Sequence, residues 1–299
     1  TLRYVKSLCD SGKAKAILGN HDRFILDATF RPFNETVWGL NGRDDTLANL
    51  GITYRSSSDL REQLLYHYYD ELEWLRDLPY YLEDGKNILV HAGFDLDLSL
   101  EEQDEETMTW TRDPYIEGAF SLLRHVELHS DFHGKNIVSG HTPTSFINGN
   151  TKNVPLTDMP HDFERNYVTR YFVDGGSKSG STNGRINVLM LDENGNEMVK
   201  RMDVFYPIIR LNNFYGIEGK YTDLADGVLI WVEANDKSCC LFVDDLIGEQ
   251  QVVVKPLPAY FNAYDLKSSG INGCSILGDG NICIILDVLG LYSQAIENN

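Results

Sequence analysis

Three short segments of this chain share one local grammar, and each delivers a side chain that could hold a metal ion or move a proton. Ala16-Ile17-Leu18 leads into Gly19-Asn20-His21-Asp22, Asn87–Val90 leads into His91-Ala92-Gly93, and Lys135–Val138 leads into Ser139-Gly140-His141-Thr142. Neutral imidazole and amide oxygen are suitable ligands for Mn, Fe or Zn. Glycine beside each one lets the backbone turn sharply and come close to a bound group. One histidine after a strand is ordinarily structural; three in the same setting, one of them inside Gly-Asn-His-Asp, predict a shared site. His67, His125, His129, His133 and His161 lack that setting and are read as structural or solvent-facing.

Such residues meet only if their strands lie side by side. In an open α/β sheet the carboxyl ends of the strands form the ligand edge, so the three turns are expected to converge there. Strands alternating with helices predict an α/β layered domain over residues 1–198. The clearest helix is Asp59 to Leu78, where Leu60, Leu64, Tyr68, Leu72 and Leu75 recur at three- and four-residue spacing. Ser57 or Ser58 would cap it and Pro79 would end it. Tyr171–Asp174 and Ile186–Leu191 flank the Gly/Ser-rich connection Gly175–Gly184, which predicts a hairpin.

The texture changes after the polar stretch Asp192–Met198. Over residues 199–299 the short β-branched runs Val228–Glu233, Cys239–Val243, Gln251–Lys255 and Ile282–Asp287 are separated by turn signals, which predicts a small barrel. Ile282, Ile284, Leu286 and Val288 alternate with Cys283, Ile285 and Asp287, the pattern of a strand apolar on both faces at a barrel centre. Gly278-Asp279-Gly280 would be the tight turn feeding it. Asp244-Asp245 and Glu249 are read as a solvated acidic turn rather than as metal ligands.

The composition is globular. Of 299 residues 42% are hydrophobic and 24% charged, and 26 basic against 45 acidic residues leave a net charge of −19. That balance disfavours nucleic acid and anionic membrane as partners while leaving room for a small phosphate ester held by local cations. No apolar run approaches the roughly 18 residues of a membrane span. Five cysteines without C-x-x-C spacing suit reduced thiols and a cytoplasmic location. The chain opens at Thr1 directly into TLRYVKSLCDSGKAKAIL, as the middle of a domain would.

GNHD, VHAG, WTRDPYI, GHTPT and YFVDGG, in that order over nearly all of residues 1–198, resemble the calcineurin-like metallophosphoesterases. The bacterial serine/threonine phosphoprotein phosphatases are the branch they most resemble. The resemblance implies an α/β sandwich, incomplete at its N-terminus, and hydrolysis of phosphomonoesters such as phosphoserine or phosphothreonine by two metals, Mn foremost, with Fe or Zn as alternatives. It implies that Asn20, His91 and His141 bind the second metal. His21 would protonate the leaving oxygen with help from an acid, for which Asp22 is a candidate, and Arg112 would grip the phosphate. A phosphorylated protein or small phosphoester would be the substrate; diadenosine polyphosphate hydrolysis would use the same site. The family's earlier motifs, G-D-x-H-G and G-D-x-x-D-R-G, do not occur. Without their carboxylates, weak metal binding and little turnover are expected.

Residues 204–291 contain PIIRLNNFYGI, LFVDDLIGEQQVVVKP and GINGCSILGDGNICIILDVL, which resemble the CheW-like regulatory domain of chemotaxis histidine kinases. That resemblance implies an all-β barrel fold that binds chemotaxis adaptors or receptor tips and catalyses nothing. The rival expectation is therefore a non-catalytic scaffold acting through this part alone. The pairing of the two parts reads either as a natural fusion or as a recombined reading frame.

Overall fold

A computed structural model describes residues 1–31, 35–113, 115–116, 125–149, 153, 155–176, 184–257, 269–278 and 280–297. The opening helices are α1 (Leu2–Asp10), α2 (Asn20–Phe30), α3 (Glu35–Leu40), α4 (Arg43–Leu50) and α5 (Ser57–Arg76). α5 fulfils the leucine period: Leu60, Leu64, Leu72 and Leu75 are buried, and they pack with Ile25, Trp38 and Leu47 of α2, α3 and α4 into one core. Its cap is Ser56, whose hydroxyl accepts from the Asp59 amide, rather than Ser57 or Ser58. The helix kinks at Tyr68 (φ −137°, ψ 21°), whose hydroxyl donates to the Leu50 carbonyl.

The strands of the first part are β1 (Tyr81–Asp84), β2 (Asn87–Val90), β3 (Asn136–Ser139), β4 (Leu156–Asp158) and β5 (Thr169–Phe172). They form one sheet in the order β1-β2-β3-β5-β4, with β2, β3 and β5 parallel and β1 and β4 antiparallel at its edges. Ile88, Val90, Ile137 and Phe172 join Phe94, Met108, Tyr115 and Phe132 in a second core. Two short helices, α6 (Glu105–Trp110) and α7 (Thr144–Asn148), follow β2 and β3.

Three expectations for this part are corrected. Ala16-Ile17-Leu18 is not a strand: both edges of β2 are taken, by β1 and β3, and Leu18 is held by a single amide bond to the Pro79 carbonyl. Ile186–Leu191 does not pair with Tyr171–Asp174, because β3 and β4 already occupy the two edges of β5. Most of the Gly175–Gly184 connection lies outside the described residues. The expected metallophosphoesterase sandwich gives way, among the described residues, to the single five-stranded sheet.

The second part contains β6 (Met198–Arg201), β7 (Val204–Arg210), β8 (Val228–Ala234) and β9 (Lys237–Val243) in the order β6-β7-β9-β8. A separate hairpin pairs β10 (Ile271–Ile276) with β11 (Ile282–Leu286). The helices α8 (Leu211–Tyr215) and α9 (Val288–Tyr292) pack on the sheet. No closed barrel forms among these elements. Of Gln251–Lys255 only Lys255 pairs with the hairpin backbone among the described residues, through an isolated bridge to Cys274. The strand covered on both faces is β9, not β11: Cys239 and Leu241 enter one core, Cys240 and Phe242 another. β11 instead exposes Ile282 (70%) and Ile284 (47%), since among the described residues no second sheet lies over that face. Asp279 lies outside the described residues.

The two parts are stitched together by amides. The turn 192–196 is closed by Asp192, whose carboxylate accepts from the backbone amide and side chain of Asn196. Buried Asn87 donates to the Asp192 carbonyl and buried Asn136 to the Gly195 carbonyl, so the turn is fastened to the amino ends of β2 and β3.

Candidate functional site

At the other ends of those strands the expected convergence occurs. His91 follows β2, His141 follows β3, and Asn20 opens α2. Asn20 Oδ1 lies 2.8 Å from His91 Nε2, and His91 Nε2 lies 3.2 Å from His141 Nδ1. The turns are themselves tied, since the Gly140 amide donates to the His91 carbonyl at 2.9 Å. Glycine is required at two positions. A Cβ on Gly19 would sit 2.9 Å from His91 Nδ1, and one on Gly93 would sit 2.4 Å from the Tyr115 ring. His141 itself adopts φ +63°, a conformation that costs a non-glycine residue and is concentrated at binding sites.

Arg112 reaches the same cluster. Its Nε lies 3.3 Å from His141 Nε2, with the guanidinium exposed at the rim. The backbone behind it is anchored from below: Arg170, wholly buried on β5, donates to the Tyr115 carbonyl and forms a buried ion pair with Asp158, Nε to Oδ1 at 2.7 Å. Sequence reasoning missed Arg170 and Asp158. The available signal was a guanidinium inside the strand run Thr169–Phe172, a position that demands a buried partner.

His21 sits one residue into α2 with its ring edge-on to Phe24 at 5.8 Å. Asp22 closes the helix start: its carboxylate accepts from the Gly19 amide at 3.0 Å, and burial pushes its pKa up. Burial, helped by the nearby His21, pulls the His91 pKa down to about 4, so His91 is neutral at physiological pH.

The donors and acceptors of this cluster conflict. If Arg112 donates to His141 Nε2, neutral His141 carries its proton on Nδ1 and points it at His91 Nε2. His91 Nε2 is then an acceptor facing a second acceptor, Asn20 Oδ1. Protons alone satisfy the set only if the Asn20 amide is turned over and His91 Nε2 accepts twice. A cation held by Asn20 Oδ1, His91 Nε2 and His141 Nδ1 would remove the clash between Asn20 and His91, but it would place the His141 proton on Nε2, where Arg112 Nε could no longer donate. The fit extends to one ion only. Among the described residues no group of three or more His, Cys, Asp or Glu side chains is arranged to hold a metal ion, and no carboxylate bridges toward a second position.

The second part is different in kind. Asp244 accepts from the Lys220 and Tyr221 amides and Asp245 pairs with Lys220, as a solvated acidic turn should. Residues 194–295 match the CheW-like domain family. Similar proteins include the chemotaxis protein CheA of Klebsiella aerogenes, 32% identical over 97 residues, which is 32% of this chain and 14% of that protein. The chemotaxis protein CheA of Treponema pallidum is 43% identical over 83 residues, 27% of this chain and 10% of that protein. The sensor histidine kinase CheAY of Helicobacter pylori is 27% identical over 101 residues, 34% of this chain and 12% of that protein. The chain thus spans only about a tenth to a seventh of the length of these relatives. Among the described residues no helix is long and apolar enough to cross a membrane.

Proposed function

Residues 194–295 are a CheW-like domain, and we propose that the chain works through it as a non-catalytic coupling module of a chemotaxis signalling assembly in the cytoplasm. The observation that carries this reading is the match over 194–295 together with the likeness to chemotaxis proteins CheA. The partners it implies are a chemotaxis adaptor or the tip of a receptor, met through protein surface rather than through membrane insertion or nucleic acid. Co-sedimentation of the full chain with a purified adaptor and with receptor fragments is the test. Saturable binding at micromolar concentration is expected with at least one of them; binding to neither overturns the reading.

A second reading rests on one geometric observation, the meeting of Asn20 Oδ1, His91 Nε2 and His141 Nδ1 beside Arg112. In this reading the first part is related to the metal-dependent phosphoesterases. Asn20, His91 and His141 would hold one divalent ion, Mn foremost, which would supply Lewis acidity toward a phosphoryl oxygen. The exposed Arg112 fork suits the paired oxygens of a phosphomonoester. His21 stands as the proton donor to the leaving oxygen, while Asp22 is committed to the helix start. Three neutral ligands bring no negative charge to the ion, so weak binding and slow turnover follow. Manganese bound at equilibrium against millimolar free Mn, and hydrolysis of p-nitrophenyl phosphate by wild type and His21→Asn, test it. No saturable binding at that concentration overturns the metal site, and activity that survives His21→Asn removes His21 from its role.

A further inference from the structure

A cavity of about 280 Å³ lies where the two parts meet, at the amino ends of β2, β3 and β5 and thus at the edge of the sheet opposite to Asn20, His91 and His141. Lys86, Thr169 and Tyr171 of the first part line it, as do Ile208, Phe214 and Ile296 of the second. Thr169 and Tyr171 stand two apart on β5. They therefore share one face of the strand, while Arg170 and Phe172 turn to the other, into the buried ion pair and the second core. Thr169 is 7% exposed and Tyr171 8%. Among the described residues neither hydroxyl makes a hydrogen bond. Buried polar groups are ordinarily paired, so two such hydroxyls on the wall of one cavity point to a ligand with an acceptor to offer them.

Charge says which acceptor. Arg210 and Glu197 also line the cavity, but they neutralise each other, Nε to Oε2 at 2.7 Å and Nη2 to Oε1 at 3.0 Å, with both side chains mostly buried. The Lys86 ammonium has no ion pair among the described residues and so sets the sign of the cavity. Burial, and after it the Glu197 carboxylate, pushes the Tyr171 pKa up, so that its hydroxyl keeps its proton and can donate. One ammonium and two hydroxyls complement a carboxylate, which only accepts. Ile208, Phe214 and Ile296 suit an apolar body behind it. The volume falls at the small end of ligand cavities, which run from about 300 to 1,000 Å³, and so limits that body to a single ring or a short chain. We propose that this cavity binds a small apolar monocarboxylate, held by Lys86, Thr169 and Tyr171. Since both parts contribute walls, the ligand would stabilise their docked arrangement.

The site shares no residue with the Asn20–His91–His141 cluster and does not depend on adaptor binding, so it is tested separately. Isothermal titration of the full chain uses two acids, benzoate and hexanoate, with benzamide as the neutral counterpart of benzoate. Saturable binding of at least one acid at millimolar concentration or below is expected, and benzamide should bind about tenfold more weakly than benzoate, the loss of one charge-assisted hydrogen bond. Lys86→Met should weaken the acid by a similar factor and leave benzamide unchanged. Tyr171→Phe and Thr169→Val should each weaken the acid several-fold without lowering the thermal midpoint, because each removes an unpaired hydroxyl and keeps the shape of the side chain. The acid should raise the unfolding midpoint of the wild type and not that of Lys86→Met. No saturable binding of either acid at millimolar concentration overturns the proposal. So does equal affinity for benzoate and benzamide, or binding that Lys86→Met and Tyr171→Phe both leave intact.

Discussion

The carboxyl edge of the first sheet and the hairpin β10–β11 of the second part invert each other. At the first, Asn20, His91, His141 and Arg112 come together from four separate elements, but among the described residues no carboxylate joins them to give such a site charge. At the second, the likeness to a known domain family runs through the strands, yet among the described residues the hairpin carries no convergent polar groups and leaves Ile276, Ile282 and Ile284 exposed. Geometry without charge and kinship without closure are separate properties. A site is competent only when its atoms and its charge are both in place; a binding domain needs neither, only a surface.

The largest expected effects test how rigidly each region is held. Arg170→Met should remove the guanidinium from a pair in which both side chains are wholly buried, leaving the Asp158 carboxylate without its partner. Breaking such a pair costs about 3–5 kcal/mol, to be read by urea unfolding. If Arg170 also fixes the loop beneath Arg112, the fluorescence of Trp110, which packs on His141 at 5.6 Å, should shift even in native buffer. In the second part Leu241→Ala, at the centre of β9, should cost about 2–5 kcal/mol. Unfolding that begins with the second part would separate the two regions, whereas one shared transition would show that the turn 192–196 couples them.

His91 offers a pH signature of intermediate size. Its folded pKa, near 4, lies below the ordinary histidine value of 6.5. The unfolded chain therefore binds a proton between those two values that the folded chain refuses, so stability rises with pH across that window. The contribution is full above pH 6.5 and is lost as pH falls toward 4, by up to about 3 kcal/mol. In metal-free protein His91→Gln should flatten the stability profile between pH 4 and 6.5. An unchanged slope would mean that the imidazole is hydrated and that the cluster is open to water.

What was legible in the sequence divides along the same line. The long helix was readable because a leucine period is local, and the convergence of His91 and His141 because each follows a strand by a fixed, glycine-bearing turn. The cap fell on Ser56 rather than its neighbours because three serines in a row offer the same hydroxyl. Ala16–Leu18 and Ile186–Leu191 have strand composition but no free neighbour, and edge occupancy is a property of the whole sheet. Arg170 could be suspected from its place inside a strand run, but its partner could not, because Asp158 comes opposite it only when β4 pairs with β5. For the second part, apolar alternation could be read in both β9 and β11, but only the positions of β7, β8 and the closing helices decide which is covered.

The amide fastening should matter less than the cores. Asn136→Ala removes the bonds to the Gly195 carbonyl and to Asn87, and a loss of about 1–3 kcal/mol is expected, since a buried carbonyl is left unpaired. If the two regions unfold together in the wild type, this substitution should split the transition. Asn87→Ala should act in the same direction through the Asp192 carbonyl. Unchanged cooperativity in both variants would mean that the β6–β7 hairpin, not the turn, joins the regions.

The smallest effect is the most discriminating. Ile282 and Ile284 of β11 have the sequence of a barrel interior but lie on an open face. Were that face closed, Ile282→Thr and Ile284→Thr would each bury a hydroxyl in an apolar core and cost well over a kilocalorie. On an open face each should fall within about 0.5 kcal/mol of the wild type. A near-neutral result in the isolated full chain, combined with loss of adaptor binding in the same variants, would make the exposed isoleucines a contact surface. A strongly destabilising result would mean that the face is covered in solution, and the inversion between the two regions would disappear.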